Sequence, residues 1–350
     1  MNNSPSKHSA SGSRGKRLWL GILAGVLAAL LLLAAVYGVL YYRGRATLGA
    51  KGSTLSAPES LVDAADDDLQ KVTYQGVDYR YNKDVIGVLF IGVDKKDIAA
   101  DAGYGKNGQA DSLFVAAIDT ASGVTRVIPL SRESMVDVDV FGIGGGYAGV
   151  EKTQLCLAYA YGATGQESCE NVVRSAKRLL YGVDINAYAA IDLDGLAALT
   201  EEVGGITVTS PEDIHRYGLN INKGDTVTLD RKSAVGYVRY RGTDVDANNR
   251  RQKRQQQFLS AFLSAVKQQV QKDPTRVAGL YSTARPYLVS NLGLSDLTYL
   301  VTNSMSALGR VEYLSIKGDT VMGDQYVEFH PDRTSVYETV LKAFYQPVEK

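Results

Sequence analysis

The chain has 350 residues, 38 Lys and Arg against 38 Asp and Glu, 45% apolar residues and two cysteines. That composition belongs to a folded protein and excludes a disordered or collagen-like one, with room for one large domain or two small ones. The charge is unevenly spread: residues 1–42 hold Lys7, Arg14, Lys16 and Arg17 and no acid, so the remainder carries 34 basic against 38 acidic groups. A slightly acidic body lacks the surface that a phosphate-backbone binder needs, so no nucleic-acid partner is expected.

Residues 1–17, rich in Ser, Gly, Lys and Asn, predict a disordered tail. From Leu18 to Tyr42 no charged residue occurs over 25 positions. At ~1.5 Å per helical residue this run exceeds the roughly 30 Å hydrocarbon core of a bilayer and predicts a membrane-spanning helix over 18–42. A cleaved signal, whose apolar region is only about 7 to 15 residues, fits less well. Four basic residues before the span face three soon after it, Arg43, Arg45 and Lys51, a slight bias toward a cytoplasmic N-terminus; the short tail ahead of about 300 exported residues supports the same single-pass cell-membrane arrangement. Residues 43–80, with Pro58 and the acidic run Glu59, Asp63, Asp66, Asp67 and Asp68, read as an extracellular linker, the carboxylates solvated rather than gathered on a metal.

The folded part, residues 81–350, opens with a buried strand over Val85–Val93, ended by Asp94. Ser112–Asp119 and Val124–Leu130 flank the turn-type segment Thr120–Gly123 and predict a hairpin. Gln154–Tyr161 and Glu170–Leu180 read as helices, then Tyr188–Ile191 extended, Leu193–Val203 helical and Ile206–Thr209 extended. Helices are expected at Arg250–Gln271, Ser295–Leu308 and Ser335–Tyr345, with a strand at Val311–Ile316. Strands interleaved with helices argue one α/β layered domain.

The helix after Arg250 carries the clearest geometric clue. At ~100° per residue, Arg251, Gln255, Phe258, Phe262 and Val266 fall within an arc of about 80°, placing a polar pair on an apolar face. Such an inward Arg needs an anion or a core carboxylate. Arg239 and Arg241, two apart, share a side if the backbone there is extended. Asp94, Asp111 and Arg132 stand at strand ends, where α/β proteins place ligands, and two carboxylates suit Mg²⁺ holding a phosphate-bearing substrate. The glycine-rich segments Gly103–Gly108 and Gly142–Gly149 lack the Gly-Lys-Ser/Thr ending of a phosphate loop and read as flexible loops. Three histidines without ligand spacing and no thiolate cluster exclude a zinc site or a Ser-His-Asp triad. Cys156 and Cys169, 13 apart, read as a disulfide that an exported domain permits, the alternative being two buried thiols.

Taken in order, Val88-Leu89-Phe90-Ile91-Gly92-Val93-Asp94, Ala110-Asp111-Ser112, Ser131-Arg132-Glu133, Lys152 before Ala158-Tyr159-Ala160-Tyr161-Gly162, Glu202-Val203-Gly204-Gly205-Ile206, Arg239-Tyr240-Arg241, Asp244, Arg251 and Arg254-Gln255-Gln256 resemble the LytR-CpsA-Psr family of membrane-anchored cell-wall proteins. The resemblance runs from about Asp84 to Val270, over half the chain. It implies a central mixed sheet flanked by helices. It also implies an enzyme that moves a glycopolymer phosphate from a polyprenyl pyrophosphate carrier to a peptidoglycan sugar hydroxyl outside the membrane. Asp94 and Asp111 would be Mg²⁺ ligands, and Arg132, Lys152, Arg239, Arg241, Arg251 and Gln255 would surround the pyrophosphate. Asp111 or Asp244 would accept the hydroxyl proton, with Arg132 at the reacting phosphate. Phe258, Phe262 and Val266 would line a prenyl slot, ordinary core packing being the alternative.

Two departures stand out: Gln109 where the family usually has Arg, and Glu133 where it usually has Asp. They keep open a non-catalytic prenyl-phosphate-binding protein, while water in place of the sugar hydroxyl would give a pyrophosphatase. Transcriptional regulation, an old label within the family, fits poorly with an exported, acidic domain.

Overall fold

The computed structural model describes residues 32, 34–48, 64–65, 71–98, 100, 103–142, 144–242, 247–304 and 311–348. Helix α1 (34–48) is followed by the strands β1 (Ala64–Ala65), β2 (Lys71–Tyr74), β3 (Val77–Tyr81), β4 (Val85–Val93), β5 (Ala110–Asp119) and β6 (Thr125–Leu130). A hairpin of β7 (Met135–Phe141) and β8 (Tyr147–Gln154) leads into a 3-10 helix (Leu155–Tyr161) and α2 (Gly165–Leu179). Then come β9 (Ala187–Asp192), α3 (Leu193–Glu202), β10 (Ile206–Thr209), β11 (Thr226–Leu229), α4 (Arg231–Arg239) and α5 (Ala247–Lys272). The last part holds α6 (Arg276–Ala284), β12 (Leu288–Ser290), α7 (Leu294–Ser304), β13 (Val311–Tyr313), β14 (Gly318–Met322), β15 (Val327–Pro331), α8 (Arg333–Phe344) and β16 (Tyr345–Pro347).

The central sheet has six strands in the order β12-β9-β4-β5-β6-β13. It is mixed: β4 pairs parallel with β9 and antiparallel with β5, and β13 joins β6 in parallel. β4 reads Val-Ile-Gly-Val-Leu-Phe-Ile-Gly-Val because both of its faces are covered. Leu89, Ile91 and Val93 point into one core, shared with Val172 and Ala176 of α2 and with Val336, Val340 and Phe344 of α8. Ile86 and Val88 point the other way, against Tyr299 and Leu300 of α7 and Leu48 of α1. A separate core joins β10 and β11 to α4 and α5 through Ile206, Leu229, Tyr237 and Phe258.

The α/β layering and the β5–β6 hairpin follow the sequence reading, with Leu113 opposite Leu130 and Ile118 opposite Thr125. Three local readings change. Folded structure reaches upstream of residue 81: β2 and β3 form a hairpin, and β3 pairs with β16, Tyr81 facing Tyr345. The alternation of Val72 and Tyr74 supplies the reason, since both are buried, Tyr74 packing edge-on to Tyr337 at 5.3 Å. The segment Gly142–Gly149 is in part the start of β8, whose hairpin with β7 the glycines had obscured. The helix expected from Gln154 is a 3-10 helix that begins at Leu155, since Gln154 still pairs with Met135.

The tail at 1–17 and the acidic residues Glu59, Asp63, Asp66, Asp67 and Asp68 lie outside the described residues, as do 18–31 and 33 of the expected span. Among the described residues no helix is long and apolar enough to cross a membrane. The described end of that region, α1, is docked on α7. Gly44 lies so close to α7 that a Cβ there would sit 2.1 Å from the Ser295 carbonyl oxygen, and the Tyr41 ring meets Tyr299 at 5.2 Å.

Candidate functional site

Three strand ends meet at one edge of the central sheet. β4 delivers Asp94 just past Val93, β5 begins at Ala110, and β6 ends at Leu130 two residues before Arg132. The β4–β5 register shifts here: Gly92 faces Ser112 and Val93 faces Ala110, which makes Asp111 the extra residue of a β-bulge. Bulges re-aim side chains and cluster beside functional sites. Asp111 accordingly reaches Arg132, whose Nη1 donates to its Oδ1. Arg132 Nη2 donates to Gln109 Oε1 at 2.6 Å and to Cys156 Sγ at 3.4 Å, while its buried Nε finds no partner among the described residues. Burial works against the Arg132 charge, but Cys156, Asp111 and Glu133 outweigh it and hold the guanidinium above its ordinary pKa.

A second group arrives from α4 and α5. Asp230 and Ser233 form a capping box that starts α4, and the helix ends nine residues on at Arg239. Arg239 therefore leaves a helix terminus rather than a strand. Its Nη2 lies 2.9 Å from Asp94 Oδ2 and its guanidinium 5.6 Å from the centre of the Tyr217 ring. Arg241, beyond the extended Tyr240, turns to Glu133 at 3.7 Å. On α5, Arg251 is held below its usual pKa first by burial, with Asp111 opposing and Arg132 and Arg241 adding to the depression. One half-buried guanidinium thus feels both arginine and carboxylate members of the other group. Gln255 fastens α5 to the cluster, accepting from Ser112 Oγ at 3.2 Å and donating to the Val238 carbonyl at 3.4 Å.

The most buried charge near the cluster is one that the periodicity of α5 did not single out. Arg254 is 0% exposed, donating to Glu212 and to the carbonyls of Tyr237 and Tyr240, with its guanidinium 5.1 Å from the Tyr240 ring centre. It pins the segment from which Arg239 and Arg241 emerge. Its spacing of three from Arg251 was the available signal, since i and i+3 share a helix face.

Beside Arg132 and Arg241 lies a cavity of about 290 Å³ whose far wall comes from the β14–β15 hairpin. Lys152 is exposed on β8 opposite Asp137, two residues from the cavity-lining Gln154, and no contact among the described residues joins it to the arginines. Asp244 lies outside the described residues. Phe258 is buried in the α4–α5 core and Phe262 and Val266 are partly buried against it. The disulfide reading is corrected: Cys156 and Cys169 are free and buried. Cys156 turns toward Arg132 and Gln154 and Cys169 toward Tyr159, and burial pushes both thiols up.

The LytR_cpsA_psr family model matches residues 53–343 of this chain. The chain belongs to the LytR_cpsA_psr family. Among its relatives, the polyisoprenyl-teichoic acid–peptidoglycan teichoic acid transferase TagU of Oceanobacillus iheyensis is 24% identical over 313 residues, 89% of each chain. The enzyme of the same type named TagV in Bacillus subtilis is 25% identical over 266 residues, 73% of this chain and 62% of the relative. The crystal structure of B. subtilis TagV shares the fold with a TM-score of 0.60 at 23% identity, covering 75% of this chain and 96% of that one. TagT bound to LI-WTA aligns with a TM-score of 0.57 at 22% identity, over 75% and 90% of the two chains. Gln109 and Glu133, the two residues that the resemblance marks as departures, both touch the arginines: Gln109 accepts from Arg132, and Glu133 pairs with Arg241.

Proposed function

We propose that this chain is a membrane-anchored transferase that moves a glycopolymer phosphate from a polyprenyl pyrophosphate to a peptidoglycan sugar hydroxyl on the outer side of the membrane. The observation that carries the reading is the meeting of two parts of the chain at one sheet edge: Arg132 pairs with Asp111, Arg239 with Asp94 and Arg241 with Glu133, and Gln255, one helical turn from Arg251, is bonded to Ser112. The names of relatives such as TagU support the substrate class. Forked guanidiniums bind phosphate oxygens bidentately and keep their charge, which suits a diphosphate that must be held while one of its bonds breaks.

In this reading Arg132, Arg239, Arg241, Arg251 and Gln255 surround the diphosphate, with Lys152 adding charge from the same face of β8 as Gln154. The sugar hydroxyl oxygen attacks the phosphorus that bears the glycopolymer. A new P–O bond forms, the bond to the bridging oxygen breaks, and the prenyl monophosphate leaves with the electron pair. The hydroxyl proton passes to a carboxylate, Asp111 or Asp244. Positioning and charge stabilisation by the arginines supply most of the rate in such a transfer.

Asp94 and Asp111 would hold Mg²⁺, which is commonly bound by one or two carboxylates together with substrate phosphates. Each meets its arginine through one oxygen, Oδ2 of Asp94 and Oδ1 of Asp111, which leaves one oxygen of each for an ion. Among the described residues no group of three or more His, Cys, Asp or Glu side chains gathers for a metal, so the ion would take its remaining ligands from substrate phosphates and water. When bound, the ion would neutralise charge on the phosphate oxygens.

The prenyl chain would lie between α5 and the sheet face that carries Phe90 and Phe114, whose half-buried rings stack at 5.0 Å. Phe262 and Val266 would face that slot, and Phe258 belongs to the packed core. The membrane span at 18–42 would hold the domain at the bilayer where such a lipid resides. Arg251→Ala tests the reading in membranes. The expected result is a loss of polymer attachment of about 100-fold or more, with the thermal midpoint unchanged. Attachment at the parental rate would overturn it.

A further inference from the structure

The β14–β15 hairpin stands outside the mechanism just described, yet it is fastened beside the site. Phe329 N donates to the Glu133 carbonyl at 2.9 Å, Ser134 bridges to Phe329, and Gln154 Nε2 donates to the Val327 carbonyl at 2.8 Å. β14 is exposed along its whole length, so the hairpin adds little to any core. Its tip nevertheless forms a wall of the cavity next to Arg132 and Arg241. There Met322 is 76% and Tyr326 43% exposed, with Gln325 between the strands.

We propose that this cavity is a saccharide subsite, in which the hairpin tip takes the pyranose bonded to the diphosphate. The inference rests on the transferase reading for its diphosphate neighbour. A pyranose offers an apolar C–H face and a rim of hydroxyls. The Tyr326 ring and Met322 meet the first, and the exposed amide of Gln325, both donor and acceptor, meets the second. At about 290 Å³ the space lies at the lower end of small-molecule sites, which suits one sugar rather than an oligomer. Arg132 and Arg241 share the opposite wall with the Glu133 carboxylate that pairs with Arg241, so the phosphate end would turn toward Arg132, which favours the donor's first sugar over the acceptor's. The hairpin would thereby select which polymer is transferred.

The test uses the full-length chain in detergent and three probes: a short-chain prenyl diphosphate, the same lipid carrying N-acetylglucosamine, and a soluble peptidoglycan disaccharide. Tyr326→Ala is expected to weaken the sugar-bearing lipid about three- to tenfold, the range of one aromatic contact, and to leave the sugar-free lipid unchanged. Gln325→Ala should act in the same direction, and Tyr326→Phe, which keeps the ring, should restore binding. A loss confined to the disaccharide would overturn the proposal by assigning the tip to the acceptor. Equal losses for both lipids, or no loss for any probe, would overturn the proposal. Wild-type protein that binds neither lipid would refute the transferase reading and the subsite with it, whereas wild-type binding of both lipids without the sugar-dependent loss in Tyr326→Ala would refute the subsite alone.

Discussion

Replacing Arg254 by Met keeps the bulk of the side chain while removing its charge and its donors. The wild-type guanidinium is fully buried and satisfies three acceptors at once: Glu212 and the carbonyls of Tyr237 and Tyr240. A buried acceptor left without a partner costs about 1–3 kcal/mol. Breaking a buried ion pair from one side costs about 3–5 kcal/mol. Glu212 would not be stranded, because Arg250 remains 2.9 Å away, so the two carbonyls dominate and a loss of about 2–6 kcal/mol is expected. Urea unfolding followed by tryptophan-independent circular dichroism measures it. Arg254→Lys, with one ammonium for three acceptors, should fall between Met and wild type. Ligand binding should weaken as well, since Tyr240 lies between Arg239 and Arg241. A loss below about 1 kcal/mol for Arg254→Met would show that the carbonyls find other partners and would refute this account of how the arginine-bearing segment is held.

Asp139 is buried, and burial alone would raise its pKa, but hydrogen bonds from Arg178 and Arg174, each at 2.7 Å, hold it below the usual carboxylate range. A depressed folded value means that its contribution is present above the unfolded value of about 4 and is lost as pH falls through the folded one. Asp139→Asn should therefore be less stable at neutral pH and lose less on acidification below about pH 4, as read from urea midpoints. With both cysteines free, the denatured chain should react with two equivalents of a thiol reagent without prior reduction, and no reaction would restore the disulfide. Gly44→Val would drive a side chain into the Ser295 carbonyl, which cannot move as a flexible side chain would, at a cost of about 1–3 kcal/mol. Faster amide exchange in α1 and α7 is the expected signature, and unchanged exchange would mean that the two helices do not depend on this contact.

What was readable along the chain follows from how local each signal is. β4 announces itself because nine consecutive residues are apolar or Gly, and α5 because its stripe from Arg251 to Val266 keeps to one helix face. The β7–β8 hairpin was hidden by the glycines of its own turn, and β2–β3 by a polar composition in which only alternate residues are buried. In the candidate site, Asp94, Asp111, Arg132, Arg239, Arg241, Arg251 and Gln255 could be named from residue type and motif. Their pairing could not: Asp94 meets Arg239 across 145 positions and Ser112 meets Gln255 across 143.

The sequence by itself determined the alphabet of the site, guanidiniums and carboxylates at the ends of predictable elements, because helix and strand preferences depend on neighbours within a turn or two. Only the tertiary structure decided that Arg254 is interior while Lys152 faces solvent, that Cys156 turns to Arg132 instead of Cys169, and that a C-terminal hairpin walls the cavity. Those outcomes depend on a bulge that re-aims one residue and on how elements far apart in the chain pack, and dense packing admits only one arrangement of them.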